Sequence, residues 1–426
     1  MHKHSTTRPP ARRRAIPTSR LFGSEHHLAR LLLPGAIIAT DPAPFCQTKG
    51  PTVPNDPDLS VPYRFSSLAN KGAMVRLAII GAAVLGVVGC FAFVAGWLSP
   101  HRLTQDRMID TFEEVIGVYP GFRRNPAKGV CIAGYFESNG QGARLSKAAV
   151  FQPGRVPVIG RLSLAGGQPY MPDRPAAVPA TVRSMALAFR PPDGEEWRTV
   201  MIDIPVFVVK DPESFYELLL AARPDPATGQ PDPAKMKDFL AGHPETARAL
   251  QIVQASPFSS GFANASYNSL DAFRFVNGAG ASTPVRWSMT ALEPFEPEPP
   301  AQSAAQDKNY LFDALIARIG QAPLQWHLVV TIGQPGDPAD DATIPWPSNR
   351  EHVDIGMLTI NRIEGEALGN CLDVNFDPLV LPSGIEPSND PLLSARSAAY
   401  SESFTRRAGE KKEPSAVQTP DRGKGV

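Results

Sequence analysis

Between residues 130 and 363 the chain carries eight strand-like runs: 130–136, 157–164, 184–190, 197–209, 272–278, 283–290, 324–334 and 353–363. Stretches such as "RWSMT" and "WHLVVTI" are rich in the β-branched and aromatic residues that suit a pleated surface. This succession constrains the fold more than any other feature. Eight strands close naturally into an antiparallel barrel that holds one ligand, and pattern alone leaves a sandwich open as the alternative. Helices flank the strands, so the expected class is α+β. "LTQDRMIDTFEEVIGVYPG" reads as an amphipathic helix with Met108, Ile109, Phe112, Val115 and Ile116 on one face and Gly117 as its stop. Asp211 and Pro212 open a helix that continues through Phe215–Ala222. A second helical group runs from Ala234 to Gln254 and breaks at Gly242-His243-Pro244.

Leu77–Leu98, "LAIIGAAVLGVVGCFAFVAGWL", contains no charged residue. A helix of that length spans roughly 33 Å, enough to cross a bilayer. A signal-anchor helix is therefore expected over 74–99, with Trp97 at an interface. Arg12, Arg13, Arg14, Arg20, Arg64, Lys71 and Arg76 precede it, which places the N-terminus in the cytoplasm and the remainder outside, in the periplasm of a Gram-negative source. A cleaved signal peptide is the alternative. Residues 1–73 lack periodicity and are proline-rich, so they read as a disordered extension; Met74 is an alternative start. His2, His4, His26 and His27 there belong to a solvated tail. Residues 100–408 read as one globular unit and 409–426 as a disordered tail.

Basic and acidic residues balance at 42 each, which gives no electrostatic case for a nucleic-acid partner. The four cysteines form no C-x-x-C pair. Cys131 and Cys371 pair if they meet in an oxidising compartment, or remain two buried thiols. "GAGAST" at 278–283 lacks the third glycine of a dinucleotide loop, and no phosphate loop, H-E-x-x-H or G-x-S-x-G occurs.

Five stretches carry a more specific signal: "RRNPAKGVCIAGYF", "VPVIGRLSLAGG", "WRTVMIDIPVFVVKDPESF", "DAFRFVNGAG" and "VNFDPLVLPSGIEPSNDPLLSARSAAYSESFTRR". In this order they resemble the haem catalases, and within them the small membrane-anchored catalase-related peroxidases, over roughly residues 101–408. The flavodoxin-like C-terminal domain of the large catalases has no counterpart. The resemblance implies a catalase-like barrel and a b-type haem. It makes Tyr400 the tyrosinate ligand of the iron. A phenol must lose its proton to ligate iron. Arg396, four residues earlier on the same helix face, favours the charged form. The resemblance also assigns Arg123, Arg161 and Arg407 to the haem propionates, with Arg406 as the substitute for Arg407 if the helix register differs. It places Phe207 and Phe215 on the pocket wall.

On the distal side the family pattern runs Arg-x-x-His-Ala-Lys-Gly, and Pro126 stands where that His belongs. Catalases use the His to move a proton between the two peroxide oxygens. Proline has neither a titratable group nor an N–H. Ile202 falls where the large catalases place an Asn. Ser163 matches the residue that orients the distal His. Strand alternation turns Asp203 to the opposite face from Ile202. His243 and His327 read as structural, and His101 and His352 have no supporting context. The implied function is a haem peroxidase that decomposes hydrogen or organic peroxides under oxidative stress. Its activity is lowered by Pro126, and the sequence identifies neither its electron donor nor its oligomeric state. The alternatives are a non-catalytic haem-binding barrel and an isomerase of lipid hydroperoxides.

Overall fold

A computed structural model of the chain describes residues 71–94, 103–175, 180–299 and 308–420. The expectations for residues 1–70 lie outside this set. The chain divides into two units, 1–75 and 76–426, and the second holds every described strand. Helix α1 (Lys71–Val94) contains the span Met74–Phe93, of mean hydropathy 2.2. It is long and apolar enough to cross a membrane, and none of that span is buried by the fold.

The strands are β1 (Gly129–Ser138), β2 (Gly154–Leu164), β3 (Arg183–Phe189), β4 (Trp197–Ile202), β5 (Tyr267–Asn268), β6 (Phe273–Val276), β7 (Ser282–Ala291), β8 (Leu324–Ile332), β9 (His352–Glu364) and β10 (Ile385–Pro387). Helix α2 (Gln105–Ile116) precedes them, α3 (Pro212–Ala221), α4 (Pro233–Gly242), α5 (Pro244–Ala255) and α6 (Tyr310–Gln321) lie between them, and α7 (Pro391–Ala408) follows. Eight strands close an antiparallel barrel in the order β7-β5-β4-β3-β2-β1-β9-β8, and β8 pairs back onto β7. Strand β6 continues the β5 side of β7, and β10 adds to β6.

Two of the expected strands are corrected. The run 197–209 leaves the sheet after Ile202. Three residues further on, Pro205 has no N–H to give a ladder. The run 272–278 shortens to β6, and the short β5 precedes it across Leu270, whose φ of 58° interrupts the strand. Helix α6 lay outside the sequence reading.

The barrel interior holds side chains, not a ligand. Trp197, Trp287 and Trp326 meet Phe136, Phe151, Phe189 and Phe275 there, joined by Leu162, Met185, Leu187 and Leu328. Rings stack at short range, with Phe189 and Trp197 centroids 4.6 Å apart. The expected ligand-holding lumen is thus filled. By period-2 alternation the residues between these core positions face outward, and on β2, β3 and β4 that outer face is also covered. Strand β3 is buried along its whole length.

Cys131 on β1 and Cys371 form a disulfide. The expectation of a disordered tail is corrected as far as residue 420. Val417 is fully buried, the Gly365 amide donates to Thr419 Oγ1, and the Ala367 amide donates to Ser415 Oγ. Glu410 joins Arg124 through two hydrogen bonds. One apolar side chain and two hydroxyls dock a segment whose composition alone reads as solvated.

Candidate functional site

Two rows of outward residues on the barrel wall build the site. Gly129, Ser163, Ser184, Ile202 and Asn268 lie side by side on β1 to β5, and Cys131, Arg161, Ala186 and Val200 form the next row. Helix α7 covers them. Asp390 caps its start by accepting from the Leu392 amide, and Pro391 follows at the first helical position. Tyr400, Ser403, Phe404 and Arg407 then fall at i, i+3, i+4 and i+7, one face turned to the wall. Met108, Ile109 and Phe112 of α2 and Phe215 of α3 complete the surround.

A cavity of about 380 Å³ lies between wall and helices, continued by a smaller lobe of about 40 Å³. Asn125, Pro126, Ser184, Val200, Tyr400 and Ser403 line both. The larger lobe is mostly apolar, with Ile202, Ile204, Phe207, Phe215 and Leu270 among its walls. Phe207 and Phe215 stack at 6.0 Å between centroids. The smaller lobe is bordered by Arg123, Arg161 and Arg407. Every site residue expected from the sequence therefore borders this one cavity, from the barrel's outside.

The arginines differ in their partners. Arg161 makes a two-pronged contact with Glu366, Nε to Oε1 at 2.8 Å and Nη2 to Oε2 at 3.0 Å. Arg123 Nε reaches the same Glu366 Oε1 at 3.2 Å and gives Nη2 to the carbonyls of Cys371 and Val374. Arg407 is buried, lies over the Phe404 ring, and its Nη2 has no hydrogen-bond partner among the described residues. Burial and Arg161 weaken the Arg123 guanidinium's hold on its proton, Glu366 opposes them, and Arg407 adds to the weakening. Burial would raise the Glu366 carboxyl, but Arg161 and Arg123 outweigh it and hold it below the usual range. Arg123 and Arg161 share Glu366, while Arg407 feels Glu366, then Asp373 and Glu410, without an ion pair among the described residues. Arg406 turns away to Asp110, Glu113 and Glu402, which removes it as the substitute for Arg407. Gly129 is required at this point: a Cβ there would lie 2.6 Å from the Arg161 guanidinium carbon.

The Arg396 guanidinium carbon sits 6.0 Å from the centre of the Tyr400 ring, and its Nη1 pairs with the buried Asp271. Burial opposes the charge on Arg396, but Asp271 and Tyr400 outweigh it and raise its hold on the proton. Burial, and then the neighbouring Asp271, push the Asp390 carboxyl up to about 7.

On the wall side, Pro126 follows Asn125 through a cis peptide bond and contributes only ring carbons. Ser163 Oγ lies 2.6 Å from Ser184 Oγ. Asp203 lines neither lobe; it receives the Arg183 amide and Nη1. His243 bonds Glu217 and Glu245, His327 pairs with Asp354, and His352 meets Thr331, so these three are satisfied elsewhere. His101 lies outside the described residues.

Sequence reading missed Glu366, Asp271 and Ser184. Asp271 opens the landmark "DAFRFVNGAG", where an acidic residue ahead of an aromatic strand was a usable signal. Glu366 is 205 residues from Arg161 and carried none.

The eight-stranded antiparallel barrel with its surrounding helices matches the fold of solved catalases. A fungal catalase superposes with a TM-score of 0.61 at 20% identity, over 68% of this chain and 60% of that one. Catalase A from Saccharomyces cerevisiae gives 0.60 at 19%, over 76% and 72%. These likenesses establish the fold. The chain belongs to the catalase family, whose sequence profile matches residues 121–423. It is 37% identical to a catalase-related peroxidase of Synechococcus elongatus over 80% of this chain and 95% of that protein. A catalase-related peroxidase of Mycolicibacterium paratuberculosis is 31% identical over 72% and 96%. The chain spans only 57% of a catalase from Pseudomonas syringae, at 28% identity.

Proposed function

We propose that this chain is a haem-dependent enzyme that decomposes hydrogen or organic peroxides, of the catalase-related peroxidase type, with an electron donor as second substrate. The observation that carries the reading is the cavity's pairing of a helix-borne Tyr400, with Arg396 against it, and a buried Arg407 whose Nη2 lacks a partner among the described residues. An orphaned guanidinium nitrogen in a buried site is costly and calls for an anion. A flat apolar ligand with a carboxylate edge fits both lobes. Haem has that shape, and its propionates would sit at Arg407, with Arg123 and Arg161 adding positive potential from behind Glu366.

When bound, the haem iron supplies redox chemistry at the peroxide O–O bond. The chain's residues bind and orient around it. Tyr400 would present its oxygen as the ligand, and Arg396, pinned by Asp271, lies beside its ring. Phe207, Phe215, Ile202 and Val200 keep the larger lobe apolar and exclude water. Pro126 holds no proton, and Ile202 offers no hydrogen bond, so proton movement between peroxide oxygens lacks its usual group. The activity is accordingly reduced. The apolar span Met74–Phe93 supports a membrane anchor, with the barrel on the extracytoplasmic side, where the Cys131–Cys371 disulfide is stable and the enzyme meets oxidative stress.

Haem titration of the full chain tests this reading. Uptake of one haem per chain, lost or weakened in Arg407→Ala, supports it; a wild-type chain that takes up no haem overturns it.

A further inference from the structure

Ser163 and Ser184 face each other across β2 and β3, their hydroxyl oxygens 2.6 Å apart. Both are buried, and neither side chain has another hydrogen-bond partner among the described residues. A serine hydroxyl carries one proton. Two hydroxyls joined by one hydrogen bond spend one proton between them, so one O–H of the pair is left without an acceptor.

Either serine can be the donor, and the cavity lining favours Ser184 as the one whose proton is free. Ser184 lines both lobes, whereas Ser163 lines only the smaller. Ser163 donating to Ser184 leaves the Ser184 proton free beside the cavity. Pro126, Val200 and Ile202 around it have none to offer. We infer that Ser184, directed by Ser163, donates a hydrogen bond to the small oxygen ligand that enters this cavity, a peroxide under the function proposed above, on which this inference rests. Ser184 is then a binding residue of the wall, and Ser163 is its neighbour that occupies one acceptor site of its oxygen.

Fluoride is a small anion that accepts hydrogen bonds, and its binding to the ferric haem-loaded full chain is read from the visible spectrum without turnover. Ser184→Ala should weaken fluoride binding by about threefold to tenfold, the size of one neutral hydrogen bond. Ser163→Ala should change it by under about twofold, because Ser184 keeps its hydroxyl. Ser184→Thr should restore wild-type affinity. A pair that only packs β2 against β3 would affect both alanine variants alike. Wild-type fluoride affinity in a Ser184→Ala chain with an unchanged haem spectrum overturns the inference and leaves the proposed function standing. A wild-type chain that takes up no haem overturns both. If Ser184→Ala fails to load, Ser184→Cys replaces it: weaker fluoride binding supports the inference, and unchanged binding overturns it.

Discussion

At the residue scale the site is asymmetric. Under the proposed function Tyr400 and Arg407 on the helix side would ligate and neutralise, while the wall side has Pro126 where the resemblance expects a proton carrier. Acid–base catalysis is typically worth about 10²–10⁴ in rate. Pro126→His should raise peroxide consumption toward that range, measured as the initial loss of peroxide by haem-loaded protein with a reducing donor present; an unchanged rate would show that the limitation lies elsewhere. Glu366 carries a second expectation. Removing its charge leaves Arg123 and Arg161 buried with no close carboxylate, and breaking such a pair costs about 3–5 kcal/mol. Glu366→Gln should lower the Tm of the haem-free chain, and added haem should recover more Tm in the variant than in wild type. Equal haem shifts in both would refute the idea that propionates and Glu366 serve the same cations. Tyr400 and Arg396 could be picked out in the sequence because the family resemblance marks them and they lie one helical turn apart. Glu366 and Ser184 could not, because each gains its meaning from a partner on another element, Arg161 far away in sequence and Ser163 across the β2–β3 pairing.

At the scale of elements, periodicity marked most strands and the opening and closing helices, since burying one face writes itself into alternation and amphipathic spacing. It failed where a single backbone conformation decides, as at Leu270 between β5 and β6. It failed again where a few polar contacts dock an otherwise hydrophilic segment. The tail after α7 is such a segment. Burial would raise the Glu410 carboxyl, but hydrogen bonds from Arg124 and from the Gly121 amide outweigh it and hold the carboxyl below its usual range. A depressed carboxylate stabilises the folded state fully above its ordinary range, and that stabilisation is lost as pH falls through the depressed value. Docking of 410–420 should therefore persist at neutral pH and weaken in acid, seen as faster amide exchange at Gly365 and Ala367 relative to the barrel core. Exchange there that follows the core at every pH would contradict it.

At the scale of the molecule, alternation showed that the strands had two faces but not which face curls inward. Strand β3, buried on both, offered no polar side to decide it. The sequence therefore suggested a barrel able to hold a ligand, whereas the fold is a packed barrel with its cavity on the outer wall. With Met74–Phe93 as an anchor, the full chain should stay in the membrane pellet after alkaline carbonate washing, and a chain lacking residues 74–93 should move to the supernatant. Release of the full chain by carbonate alone would rule out a spanning helix. Everything proposed for the cavity depends on α7 bringing Tyr400 to a haem iron against the barrel wall. The visible spectrum of the ferric haem-loaded chain, recorded beside that of Tyr400→Phe, decides whether it does. A high-spin, phenolate-type spectrum is expected in the wild type and should be lost in Tyr400→Phe, with haem bound more weakly. Identical spectra and affinities in the two chains would refute the ligation.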